Sequence, residues 1–242
     1  MLPEQLAGGH LMADEARREL DRLLAEIEDE VRYTAGYTGR SALSPAVMAA
    51  LSRVWRHQFV DPLERTSAYA NHPLSIGHGQ TISQPYIVAL MTELLDLSDQ
   101  DRVLEVGTGS GYQAAVLAEL AGQVYSLEII PALADQAADR LSRLGYENVT
   151  VRQGNGRLGW PEQAPFDAIM VTAAAESVPP ALLAQLKPGG RMTIPVGGLW
   201  SSQQLLLLTK DATGKVQQRT VLPVAFVPLT GRSDADGDPP PR

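Results

Sequence analysis

A chain of 242 residues, 44% of them hydrophobic, is long enough for one sizeable α/β domain with an appendage. Its 28 acidic against 20 basic residues leave a formal charge of −8. That balance argues against a nucleic-acid backbone as the main partner, because such binding rests on Lys/Arg clusters that are missing here; any macromolecular acceptor is expected to be protein. The lack of Cys removes disulfides, thiolate nucleophiles and zinc–thiolate sites. No apolar run approaches a membrane span, and no basic region followed by an apolar core opens the chain, so a cytoplasmic location is the default expectation.

Residues 1–12 read as a loose leader around Gly8-Gly9. From Asp14 to Val31, Leu20, Leu23, Leu24, Ile27 and Val31 recur at helical spacing between charged residues, which predicts an amphipathic helix with one buried stripe and a solvated face. A loop carrying Gly36 and Gly39 follows. Ser44-Pro45 then predicts a helix start, a hydroxyl cap with proline at the first helical position, and Val47, Leu51, Val54, Trp55 and Phe59 give its inner face. These residues, 1–60, form an N-terminal helical appendage. Residues 61–82 read as a long irregular covering loop, and a loop of that length in a compact domain points to function. Ser83 is a candidate N-cap for a helix whose inner positions are Ile87, Leu90, Met91, Leu94 and Leu95.

The core, residues 83–232, turns on Arg102-Val-Leu-Glu-Val-Gly-Thr-Gly-Ser-Gly-Tyr-Gln113. Val103, Leu104 and Val106 suit a buried parallel strand, and Gly107, Gly109 and Gly111 allow a sharp turn that a ligand can approach closely. The third glycine of a dinucleotide fingerprint is wanted where Tyr112 stands. The pattern Glu105-x-Gly107-x-Gly109-x-Gly111 instead resembles the first motif of the S-adenosylmethionine-dependent methyltransferases. Gln123 to Glu128 reads as the next strand, with Glu128 at its carboxyl end, where a carboxylate can accept both hydroxyls of a ribose. Both nucleotide classes use such an acid, so the glycine spacing and not Glu128 makes the choice.

Beyond it, a helix over 131–144 stops at Gly145, and strands follow at 149–151 and 166–172. A helix over 180–186 leads into a Lys187-Pro-Gly-Gly190 turn and a strand over 191–196. Strands over 203–209 and 216–227 then flank a hairpin loop at Asp211-Ala-Thr-Gly214. This alternation predicts a doubly wound, mostly parallel sheet of Rossmann-like type with an antiparallel C-terminal edge, its ligand at the carboxyl ends of the strands. Residues 233–242, rich in Asp and Pro, are expected to be a disordered tail. Trp55, Trp160 and Trp200 read as packing residues, Trp200 in a loop able to border an acceptor cleft. No His/Asp/Glu spacing suggests a metal.

From about Ser44 to Arg232 the chain resembles the protein-L-isoaspartate (D-aspartate) O-methyltransferases. The resemblance rests on Arg56-His-Gln-Phe-Val60, Ala68-Tyr69, Pro73-Leu-Ser-Ile-Gly-His-Gly-Gln-Thr-Ile-Ser83, the glycine turn, Gly154-Asn-Gly156, Ala164-Pro-Phe-Asp167, Gln185-Leu-Lys-Pro-Gly-Gly190, Pro195-Val-Gly197 and Val227-Pro-Leu-Thr230. It implies methyl transfer from S-adenosylmethionine to the α-carboxylate of L-isoaspartyl residues in damaged proteins and peptides, the ester then closing to a succinimide whose hydrolysis restores some aspartate. It also implies that Ser83 is the active-site residue, and Thr81 and Ser83 are expected to be catalytic as neutral donors that hold the acceptor carboxylate. The cofactor is expected on Gln80, Thr81, Ile82, Ser83, Glu105, Gly107, Thr108, Gly109, Gly111, Glu128, Ile129, Asn155, Gly156 and Thr230. Two departures stand out: Asn155 replaces an acid that accepts from the adenine amino group while keeping an acceptor oxygen, and Asn71 occupies a place often held by Asp.

Overall fold

The computed structural model describes residues 3–198 and 202–231, with side chains from residue 14 onward. The expected tail and Trp200 lie outside the described residues. Helix α1 runs Pro3–Thr38, α2 Pro45–Arg53, α3 Pro85–Leu95, α4 Tyr112–Ala118, α5 Pro131–Arg143 and α6 Pro180–Gln185. The strands are β1 Leu74–Gly77, β2 Gln80–Ile82, β3 Arg102–Val106, β4 Gln123–Glu128, β5 Val149–Gln153, β6 Phe166–Val171, β7 Leu186–Val196, β8 Gln203–Lys210 and β9 Val216–Val224.

The seven-stranded sheet has the order β5-β4-β3-β6-β7-β8-β9. β3 to β7 pair parallel, and β8 and β9 return antiparallel, as the strand–helix alternation and terminal hairpin predict. Because successive side chains on a strand face opposite ways, β3 serves two cores. Val103 joins the buried cluster of α1 to α4, while Leu104 and Val106 join the cluster of Trp160, Phe166, Ile169, Leu186 and Ile194 on the other face. Leu20, Leu23, Ile27 and Val31 of α1 are all buried in the first cluster, while Arg17, Arg18, Asp21, Arg22, Glu28 and Asp29 are exposed. Ser44 caps α2, its Oγ accepting from Val47 N at 3.3 Å. Among the described residues no helix is long and apolar enough to cross a membrane.

Several sequence expectations need correction. Residues 3–12 of the expected leader and Gly36 of the expected loop are helical within α1. One glycine costs a helix only about 1 kcal/mol against alanine, and the end of α1 is anchored by packing: Thr34 Oγ1 meets Tyr86 OH at 2.6 Å and Thr38 is buried. The covering loop is not structureless. It holds a short 3-10 helix, Pro62–Ser67, capped by the Asp61 side chain at Leu63 N (2.9 Å), and the β1–β2 hairpin. The hairpin turns on His78 (φ 54°) and Gly79 (φ 70°), the two left-handed positions of a tight hairpin turn; His is not the usual Asn or Asp there, which hid the signal. Ser83 is not the cap of α3: Gln84 holds that position, with no side-chain cap, and Pro85 starts the helix. The Lys187–Gly190 turn is a bulge inside β7, where the register jumps between Phe166 and Ala168 and Gly189 takes φ 86°. At the last strand, β9 ends at Val224, short of residue 227.

Candidate active site

The site lies at the carboxyl ends of β3, β4 and β6, where the chain leaves β3 through its glycine turn. Gly107 N and Thr108 N donate to Leu127 O at 2.8 and 3.2 Å, hanging the turn on the end of β4. Thr172, just after β6, donates from Oγ1 to Gly107 O at 2.7 Å and to Val106 O at 3.1 Å. A Cβ on Gly107 would stand 2.4 Å from that hydroxyl oxygen, and its φ is 100°, so only glycine fits. Glu128 closes the turn from the side. Its Oε2 accepts from Gly109 N at 2.8 Å and its Oε1 from Ile130 N at 2.9 Å.

These elements wall an open cleft of about 770 Å³. Of the expected cofactor contacts, Gln80, Thr81, Ile82, Ser83, Gly107, Thr108, Gly109, Glu128, Ile129, Gly156 and Thr230 all line it. Glu105, Gly111 and Asn155 do not. Strand alternation turns Glu105 inward while Val106 faces the cleft, and Glu105 is fully buried. Its Oε2 accepts from Ser126 Oγ at 2.5 Å, Ser126 in turn meets Thr108 Oγ1 at 2.5 Å, and Oε1 has no partner. Burial pushes the Glu105 carboxyl up to about 8, against the pull of Ser126 and with the help of Glu128. Gly111 packs on Leu141. Asn155 uses Oδ1 to accept from Arg157 N at 3.1 Å.

The sequence reading missed the apolar wall of Val88, Leu127, Ile130 and Leu229, and also Tyr112, Gln113 and Thr172. Leu127 and Ile130 flank Glu128, so a reading that took strand ends as segments would have found them. Tyr112 is placed by a contact no motif announces. The fully buried Arg56 guanidinium sits 5.2 Å from its ring centroid and donates to His72 O at 3.3 Å, with Phe59 edge-on to the same ring at 5.5 Å. Burial pulls the Arg56 guanidinium down to about 10. This cluster ties the segment ahead of the hairpin to the glycine turn.

A second open pocket, of about 1050 Å³, adjoins the first. The two share Thr81, Ser83, Thr172 and Val227, so both expected catalytic residues stand where they meet. Neither the Thr81 nor the Ser83 hydroxyl has a hydrogen-bond partner among the described residues. The second pocket is walled by α1 through Glu30, by Pro73, Gln84 and Tyr86, and by the end of β9. Among the described residues there is no group of three or more His, Asp or Glu able to hold a metal.

The family model described as Protein-L-isoaspartate(D-aspartate) O-methyltransferase (PCMT) matches residues 36–234. The chain is 61% identical over 210 residues to protein-L-isoaspartate O-methyltransferase 2 of Syntrophobacter fumaroxidans, covering 87% of this chain and 85% of that one. It is 58% identical to the enzyme of the same name from a Polaromonas species, over 87% of this chain and all of the other. Among solved structures it resembles a protein-L-isoaspartate O-methyltransferase at TM-score 0.75 and 29% identity, over 88% of this chain and 66% of that longer one. A putative Plasmodium falciparum protein-L-isoaspartate O-methyltransferase, solved with S-adenosyl-L-homocysteine, shares the fold at TM-score 0.68 and 24% identity, over 85% of this chain and 97% of that one. With nearly the whole core matched by the family model, the chain belongs to the protein-L-isoaspartate(D-aspartate) O-methyltransferase family.

Proposed function

We propose that this chain transfers a methyl group from S-adenosylmethionine to the α-carboxylate of L-isoaspartyl residues in damaged proteins and peptides, starting their repair through a succinimide. The observation that carries this reading is the position of Thr81 and Ser83, unpartnered hydroxyls at the junction of two pockets. One pocket suits the donor and the other the acceptor.

The residues of the first cleft fit the cofactor. Among the described residues Glu128 is its only charged side chain, which suits a cationic ligand, and its carboxylate has lone pairs left for ribose hydroxyls after the two backbone bonds. Leu127, Ile129, Ile130 and Leu229 offer an apolar wall to a planar base, and Gly107 and Gly109 present bare backbone. When bound, the cofactor supplies an electrophilic methyl group carried on a positively charged sulfur.

The acceptor carboxylate is ionised at neutral pH, so the chain needs no strong base. Its task is placement. Thr81 and Ser83 donate O–H groups that hold the carboxylate without neutralising it, and Thr172 and Val227 complete the neck between the pockets. Orientation of this kind contributes on the order of 7 kcal/mol. Incubating the chain with methyl-labelled S-adenosylmethionine and an isoaspartyl peptide is expected to leave base-labile label on the peptide. Binding of S-adenosylhomocysteine without any transfer would reduce the chain to a cofactor-binding protein.

A further inference from the structure

Helix α1 sends one acid into the pocket assigned to the acceptor. Glu30 Oε2 accepts from Asn71 Nδ2 at 2.7 Å and from Gln84 Nε2 at 3.2 Å, while Oε1 makes only a long 3.4 Å contact with the same Gln84 amide. Asn71 is itself fixed, its Oδ1 accepting from Tyr86 N at 3.1 Å, and Tyr86 OH meets Thr34 Oγ1 of α1 at 2.6 Å. The acid is therefore held in place by neutral amides, and none of its hydrogen-bond donors carries a compensating charge. No ion pair among the described residues includes Glu30. Every other described side chain lining this pocket is uncharged. A carboxylate offers about four lone-pair sites, so Oε1 keeps room for another donor.

We propose that Glu30 is a specificity-determining residue, which selects a Lys or Arg side chain flanking the acceptor residue and rejects a second carboxylate there. The inference rests on the acceptor reading of this pocket. The acceptor group is itself an anion, and an uncompensated acid on the pocket wall opposes it. A flanking cation that reaches Glu30 removes that opposition and gains an ion pair, whereas a flanking acid adds to it. In a groove with apolar walls such a charge is felt more strongly than on open surface.

The test uses the full chain and isoaspartyl peptides that differ only in one flanking residue, Lys, Ala or Glu, placed on each side in turn. For the unaltered enzyme kcat/KM is expected to favour Lys over Glu on one flank by about fivefold or more, mainly through KM. In Glu30→Gln, which keeps an acceptor for Asn71 while losing the charge, that ratio should fall to within about twofold. A second readout needs no variant: raising the salt from low to high ionic strength should shrink the ratio in the unaltered enzyme. Equal rates for the Lys and Glu peptides in the unaltered enzyme, or a ratio unmoved by Glu30→Gln and by salt, would overturn the assignment. Failure to methylate any peptide, the Ala peptide included, would instead remove the proposed function on which it rests.

Discussion

The cleft proposed for the donor and the pocket proposed for the acceptor meet at Thr81 and Ser83, yet they are built in opposite ways. The floor of the first is nearly contiguous chain, β3, its glycine turn, α4 and the end of β4, closed by backbone bonds such as Gly107 N to Leu127 O, with the hairpin, Gly156, Thr172 and Thr230 at its sides. The acceptor pocket is assembled from far-apart pieces, Glu30 on α1, Asn71 and Pro73 before the hairpin, Gln84 and Tyr86 at the head of α3, and the end of β9. Side-chain hydrogen bonds join them. One region is a cradle of backbone bonds, and the other is a set of walls joined through side chains. Damage to the first should abolish binding, while damage to the second should retune which acceptor is used.

The largest effect is expected for Gly107→Ala. The new Cβ would meet Thr172 Oγ1 at 2.4 Å in a backbone of φ 100°, a combination costing about 3 kcal/mol or more. Calorimetry with S-adenosylhomocysteine should show at least about a 100-fold loss of affinity; unchanged affinity would mean that the cradle is not backbone-built.

Next comes Ser83→Ala, at the neck. Turnover should fall by about 100-fold, the usual cost of one donor aimed at a reacting oxyanion, while the cofactor Kd stays within about twofold. Loss of both together would place Ser83 on the donor side of the comparison. Since Ser83 caps nothing, a large drop in thermal stability is not expected.

A smaller effect concerns Glu105 beneath the turn. Its carboxyl titrates at about 8 in the folded chain against 4.5 as the ordinary value. The folded state thus holds an extra proton between those values, and stability falls as pH climbs through that window, levelling off above it. Glu105→Gln should remove the slope. Between pH 6 and pH 8 the unaltered chain should lose on the order of 2 kcal/mol more than the variant by urea unfolding. Parallel pH profiles would show Glu105 to be ionised in its buried place.

The smallest effect belongs to the walls joined through side chains. Asn71→Asp would set a second acid against Glu30, where Asn71 now donates at 2.7 Å. Stability should drop by about 1 kcal/mol, and adding Glu30→Gln should restore most of it. Strict additivity of the two changes would show that these walls are not coupled.

The same division governed what could be read in advance. Glu105-x-Gly107-x-Gly109-x-Gly111 and Glu128 announced the donor side because strand, turn and helix follow one another within a few residues, and most of the expected contacts do line the cleft. Glu105, Gly111 and Asn155 do not line the cleft, because spacing says which residues are near a turn, and only the pleat and the packing decide which of them face out. The hairpin was hidden by His78 in a left-handed turn position. Glu30 sits 53 residues ahead of Ser83 in an ordinary amphipathic stripe, where nothing local distinguishes it from the solvated acids Glu28 and Asp29. The departure at Asn71 was visible in the chain, but its meaning waited on the neighbour that α1 brings to it.

The central claim is that this pair of pockets presents an isoaspartyl α-carboxylate to the methyl donor. It is tested most directly by assaying methyl transfer to two peptides of identical sequence, one carrying an isoaspartyl and the other a normal aspartyl linkage. Methyl ester on the isoaspartyl peptide alone is the predicted result. Equal labelling of both, or labelling of neither by a chain that binds S-adenosylhomocysteine, would contradict it.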